Sequence, residues 1–129
     1  MLRSVLLAAG LIASVATFSG AQLSHRPIVI SSPLPGYPPI AAIKKERGKI
    51  LIDVKIDSSG KVVSAAVVKG PSILSKVALE KALEWRFNEA ANGTGLRPAR
   101  LTFVFHRGCM AKPRFTPPYR VDIVWCPTG

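Results

Sequence analysis

Apolar residues recur at helical spacing for about four turns in one internal stretch, Ser72 to Phe87, SILSKVALEKALEWRF. At roughly 100° per residue, Leu74, Val77, Ala78, Ala82 and Trp85 share a stripe, while Lys76, Glu80, Glu84 and Arg86 fall largely off it. The spacing predicts a helix with one face laid on a sheet. Ser72 and Ser75 are each placed to accept a backbone N–H as N-cap, and Gly70-Pro71 stops the strand before them. Leu79 and Leu83 lie off the stripe, either as tolerated surface leucines or as a second apolar surface for another part of the chain. Lys49 to Ile56 alternates instead, with Ile50, Ile52, Val54 and Ile56 on one face and Lys49, Asp53 and Lys55 on the other, as a half-buried strand does. Asp57-Ser58-Ser59-Gly60 is a turn in which Gly60 supplies a positive φ, and Val-rich Lys61 to Lys69 completes a hairpin. Asn88 to Pro98, centred on Asn92-Gly93-Thr94-Gly95, is a loop; Ala99 to His106 is a third strand. Trp85, Phe87, Phe103 and Phe105 are spaced for core packing, with at least three of the four expected inside. Arg86, between two aromatics, is expected to point outward, where it either holds a partner's carboxylate or is simply solvated.

The N-terminal part reads differently. Arg3 precedes an apolar run from Val5 to Ala16, and Ser19-Gly20-Ala21 supplies the small residues of a cleavage site, so residues 1–21 read as a signal peptide and the mature chain as starting at Gln22. The alternative is an uncleaved inner-membrane anchor over 4–23. Residues 22–36 form a Pro-rich leader, expected to carry no helix or strand of its own. After Tyr37-Pro38-Pro39, Ile40 to Arg47 reads as a short helix with Ile40 and Ile43 toward the core and Gly48 ending it.

A helix crossing between the second and third strands makes those two parallel, so the third strand pairs antiparallel only beside the first. The fold class is α+β, a small three-stranded antiparallel sheet in the order second, first, third, covered by one main helix. Alternating βα units are absent, which argues against a parallel α/β fold. The net charge of +11 draws an exported protein to anionic envelope surfaces, although no basic run exceeds Lys44-Lys45 and a charge spread over all faces is the simpler reading. Aromatics interleaved with basic residues on a sheet face, as nucleic-acid binding favours, are not evident.

Catalytic sets are scarce. His25 and His106 are far apart, with no cysteine or carboxylate spaced to join them in a metal site. No close carboxylate pair stands in an apolar setting, and no serine sits in a Gly-x-Ser-x-Gly elbow. The reading is therefore a binder without cofactor or metal; a secreted basic hydrolase using His106 and a lysine is the remote alternative.

Taken together these residues resemble the TonB C-terminal domain family, the receptor-binding end of the periplasmic energy transducer of Gram-negative envelopes. Tyr37-Pro38, Gly48 with the strand to Ile56, Asp57-Ser58-Ser59-Gly60-Lys61-Val62, Ala78-Leu79 with Ala82, Trp85-Arg86-Phe87, and Gly95 with Arg97-Pro98 carry the resemblance in order, over residues 37–106. Ser75 stands where the family usually has an acidic residue, and Glu89 where it has a Pro. The apolar run Val5 to Ala16 contains no His, and the leader spans about 50 Å at most, so the expectation is the receptor-binding end standing alone. The resemblance implies a periplasmic domain that captures the short box of an outer-membrane receptor by strand addition. The open edge expected to do this is that of Ala99, Arg100, Leu101, Thr102, Phe103, Val104 and Phe105. The alternative is a structural or cell-wall-associated protein that packs or homodimerises through the same edges.

Residues 107–129 extend beyond the resemblance and hold both cysteines, Cys109 and Cys126, expected to pair in an oxidising compartment. The closed loop of about 18 residues contributes on the order of 3 kcal/mol. Tyr119 to Trp125 is a further strand candidate, Val121, Ile123 and Trp125 alternating with Asp122 and Val124. A simple hairpin on Ala99 to His106 would leave the two cysteines roughly 25 Å apart, and a disulfide needs Cα atoms within about 7 Å. With the bond formed, the tail either runs parallel to the third strand and fills the expected binding edge, or lies over Leu79 and Leu83.

Overall fold

The computed structural model describes residues 26–91, 95–109 and 112–126. The signal-peptide, anchor and His25 readings, the centre of the Asn88 to Pro98 loop and the last residues of the tail lie outside these. The elements in chain order are β1 (Val29–Ser31), α1 (Pro39–Ile43), β2 (Gly48–Ile56), β3 (Val62–Lys69), α2 (Ser72–Ala82), β4 (Arg86–Phe87), β5 (Arg97–Arg107), β6 (Arg114–Thr116) and β7 (Arg120–Trp125). Five strands form one sheet in the order β3-β2-β5-β7-β6, and β1 pairs with β4 in a separate two-stranded ribbon.

The expected second-first-third order is present as β3-β2-β5, antiparallel throughout, but the sheet does not stop at three strands. Alternation does its work on β2, where Ile50, Ile52, Val54 and Ile56 are all buried against α2. In β5 the buried set is Leu101, Phe103 and Phe105, with Thr102 and Val104 on the opposite face. Trp85, Phe87, Phe103 and Phe105 are all inside, Trp85 touching Phe103 edge-on at 5.6 Å between ring centroids. The hairpin turn closes on Asp57, whose Oδ1 accepts the amides of Ser59 and Lys61. Gly60 has φ 96° there, and a Cβ would come within 1.9 Å of the Phe87 carbonyl oxygen, so only glycine fits.

The main helix is shorter than its periodicity predicts. It ends at Ala82, with Leu83 as C-cap, and Arg86–Phe87 is strand. Trp85 lies three residues past Ala82, so its burial continues the stripe in phase although the backbone has left the helix. Pairing with β1, and the Phe87 amide donated to the Gly60 carbonyl at 2.8 Å, hold the extended form. The expected serine cap is not used. Pro71 is the N-cap residue without a side-chain bond, and a carboxylate from elsewhere takes the role, Glu46 Oε1 accepting the Leu74 amide at 3.3 Å. Acceptance by a carboxylate at this end suits the helix dipole.

Two N-terminal expectations are also corrected. The helix expected over Ile40 to Arg47 is the five residues of α1, ended by Lys45 in the left-handed region (φ 56°) rather than by Gly48, which opens β2. Its buried side chains are Ala41 and Ala42, while Ile40 and Ile43 are exposed. Small residues let this short turn sit close on the core, with the Tyr37 ring already filling the space against Phe105. The leader, expected to be without secondary structure, contributes β1 and is tied down: Trp85 Nε1 donates to the Pro33 carbonyl at 3.2 Å, and Ile28 exchanges bonds with Asn88. Pro27 and Pro35 are buried.

Candidate functional site: the β5 edge

One side of β5 is spent on β2, in unbroken antiparallel register from Gly48 opposite Phe105 to Ile56 opposite Arg97. The other side is the edge singled out from the sequence, and along most of it the chain supplies its own occupant. β7 runs parallel to β5 with Thr102 opposite Arg120 and Arg107 opposite Trp125. The Thr102 amide donates to the Tyr119 carbonyl and the Gly108 amide to the Trp125 carbonyl, each at 2.9 Å. Of the seven expected edge residues, Thr102, Phe103, Val104 and Phe105 are paired to β7, and Ala99, Arg100 and Leu101 lie ahead of where β7 joins.

The covalent geometry follows from this direction. Parallel strands finish at the same end, so Cys109, just past β5, meets Cys126, just past β7, and they form a disulfide with Cα atoms 4.7 Å apart. The expected pairing is present. The tail does not lie over Leu83, which stays exposed. It is packed into the core instead, with Val121 and Ile123 buried, Phe115 edge-on to Trp85 at 6.0 Å, Tyr119 against Phe87 at 6.2 Å and Trp125 against Tyr37 at 5.9 Å. The Tyr119 hydroxyl donates to the Pro27 carbonyl, which joins tail and leader. Burial pushes the Tyr37 and Tyr119 hydroxyls above their ordinary pKa range.

The two outermost strands offer less to a new strand. β3 is broken by irregularities on either side of its middle, and its exposed Val63 and Val68 are the residues left out of register there. β6 has three residues, bounded by Pro113 and by Pro117-Pro118. On the solvent face of the sheet Arg100 grips Asp53 with two bonds, at 2.7 and 3.0 Å, and this holds the exposed Asp53 carboxyl below the usual carboxylate range. Arg86 is exposed as expected, one guanidinium nitrogen donating to the Trp85 carbonyl.

One contact went unforeseen. His106 Nε2 lies 2.8 Å from Asp122 Oδ1, and Arg120 donates to both Asp122 oxygens at 3.1 Å. These bonds, Arg120 foremost, lower the Asp122 pKa. The signal was present in the parallel alternative for the tail, whose register puts Asp122 beside Val104 on the face that carries His106. No group of three or more His, Cys, Asp or Glu is arranged to hold a metal among the described residues.

A sheet and helix of this order, with a parallel strand of the same chain laid on the far edge of the last domain strand, define an α+β domain with one helix over an extended sheet. The family described as Gram-negative bacterial TonB protein C-terminal matches residues 33–106, and the chain belongs to that family. The matched part stops at His106, so β6, β7 and both cysteines lie beyond it. The solution NMR structure of the Pseudomonas aeruginosa TonB CTD is similar in fold, with a TM-score of 0.51 at 20% identity, covering 60% of this chain and 83% of that one. A comparison with curated proteins gave no match.

Proposed function

We propose that the chain is a periplasmic TonB-like domain that captures an extended peptide, the box of an outer-membrane receptor in TonB-dependent transport, by adding it as a strand to β5 along Ala99 to Phe105. The observation that carries this reading is β7 itself: a segment outside the family-matched region is laid on that edge in parallel register, so the edge has the geometry to accept a strand. Main-chain bonds supply most such contacts, and alternate side chains the selectivity. Here the tail is the resident strand, and a peptide competes with it. Displacing β7 exposes Val121 and Ile123, at about 1.5–3 kcal/mol for each side chain, so a competing peptide must bury comparable apolar groups two residues apart. Packing or homodimerisation through the outer edges has weaker support, because β3 is irregular and β6 is short. No helix among the described residues is long and apolar enough to cross a membrane.

The test measures binding of a fluorescent receptor-box peptide to the oxidised chain, the reduced chain and the reduced Ile123→Ala variant, with folding checked by circular dichroism. Affinity should rise along that series, by up to about a hundredfold on reduction. Equal affinity in all three forms would remove the tail from the site; absence of binding in all three would remove the peptide.

A further inference from the structure

The face of the sheet turned away from α2 carries a feature that strand capture does not use. Where β5 and β7 finish, a groove of about 650 Å³ is lined by His106, Arg107, Lys112, Arg114, Asp122 and Val124. We infer that this groove binds a phosphate-bearing anion.

The charges on the page lead there. Asp122 is the one carboxylate in the lining, and it is already held by Arg120 and His106. Arg114 stands opposite Asp122 in the β6–β7 register but makes no ion pair with it. Among the described residues neither Arg114 nor Lys112 has an ion-pair partner. Arg107, Lys112, Arg114 and the adjoining Arg120 thus face a single internal counter-charge, and like charges held this close favour a bound anion. The donors are of different kinds and come from different segments: a guanidinium fork on β6, an ammonium just ahead of it and a second guanidinium, Arg107, at the end of β5. A phosphate, with three or more acceptor oxygens, satisfies separated donors that a two-oxygen carboxylate does not. The volume admits a head group rather than a bare ion. Val124 on the lining adds an apolar surface beside these charges, as suits a lipid interface. The same chemistry is offered by a lipid head group and by soluble phosphate.

The test uses the full chain with its disulfide closed and has two arms. In the first, inorganic phosphate is titrated against chloride at matched ionic strength, and the amide resonances of Gly108 and Val124 are followed. In the second, co-sedimentation is measured with vesicles of phosphatidylglycerol and phosphatidylcholine in equal parts, and with phosphatidylcholine alone. Phosphate-specific shifts at Gly108 and Val124, or retention on the anionic vesicles only, are expected; the first without the second assigns a soluble ligand, the second a head group. The double variant Lys112→Gln/Arg114→Gln should lose about thirtyfold in either arm. The control variant Lys44→Gln/Lys76→Gln, which removes two charges from the helix side, should lose little. Equal losses in the two variants would reduce the groove to general surface charge and overturn the site, as would no response in either arm.

Discussion

The two neighbours of β5 are held by different means. β2, nine residues long, pairs with it antiparallel without interruption and buries a side chain at every second position. β7, six residues long, pairs in parallel, buries Val121 and Ile123, and is joined to β5 at the far end by a disulfide. Parallel pairing forces the chain to travel back along the length of the strand before it can begin, and the described part of the connecting segment is held by three-residue β6, the Phe115 contact on Trp85 and Tyr119 against Phe87. The difference teaches that the β2 side is rooted in burial and an unbroken ladder, with Arg100 on Asp53 across it, whereas the β7 side combines a smaller burial with covalent closure. The second can be loosened while the first stands.

The strongest way to break that distinction is at the residue the two sides share. Trp85 is fully buried, lies against Phe103 of the domain and Phe115 of the tail, and donates to the leader at Pro33. Trp85→Ala should cost about 3–5 kcal/mol, seen as a large fall in the urea midpoint with tail and domain unfolding together. A sharper comparison sets Ile52→Ala on β2 against Ile123→Ala on β7. Each removes a buried isoleucine and should cost about 2–5 kcal/mol where the surroundings stay folded. The β2 change should raise amide exchange throughout the sheet, and the β7 change mainly in β6 and β7; the same exchange pattern in both would make the sheet one cooperative unit.

Reduction of Cys109–Cys126 comes next. It should remove about 3 kcal/mol by releasing the unfolded chain from its loop, with a matching drop in thermal midpoint and little change in the far-ultraviolet spectrum. The smallest effect is electrostatic. Arg120 and His106 hold the Asp122 carboxyl below its ordinary range, so its contribution is intact above about pH 4, the unfolded value, and is lost as the pH falls through the lowered one. Acid titration followed by Trp125 fluorescence should show the tail loosening below that pH, and Asp122→Asn should flatten the dependence.

Much of the domain is legible in the residues because each signal has a single structural solution. The alternation of Ile50, Ile52, Val54 and Ile56 fits a strand with one buried face, and a turn ending in Gly60 closes the hairpin by backbone chemistry alone. The helix was readable at Leu74, Ala78 and Ala82, but its end was not. Trp85 stays in phase with the stripe whether the backbone continues as helix or leaves it, and the pull of β1 on Arg86–Phe87 comes from residues more than fifty positions away. The inward Ala41 and Ala42 were hidden by two larger isoleucines, since hydrophobicity ranks Ile first and takes no account of how close the turn must sit. The β5 strand is legible in its alternation; its occupant is not, because the tail's own alternation suits either placement.

By itself, then, the sequence determined the α+β class, the β3-β2-β5 order and the cysteine pair, because alternation, helical spacing and chain direction leave few ways to bury those apolar faces. Only the tertiary structure decided that β7 lies parallel on β5 and that the leader pairs with β4. Val121 and Ile123 alternate in a way that serves either placement of the tail, and a short strand such as β1 carries too little pattern to choose a partner. What selects among these is long-range fit: the space beside Phe103 and Phe105, the reach of Tyr119 to Pro27, and the closing of Cys109 on Cys126 at the common end of two parallel strands.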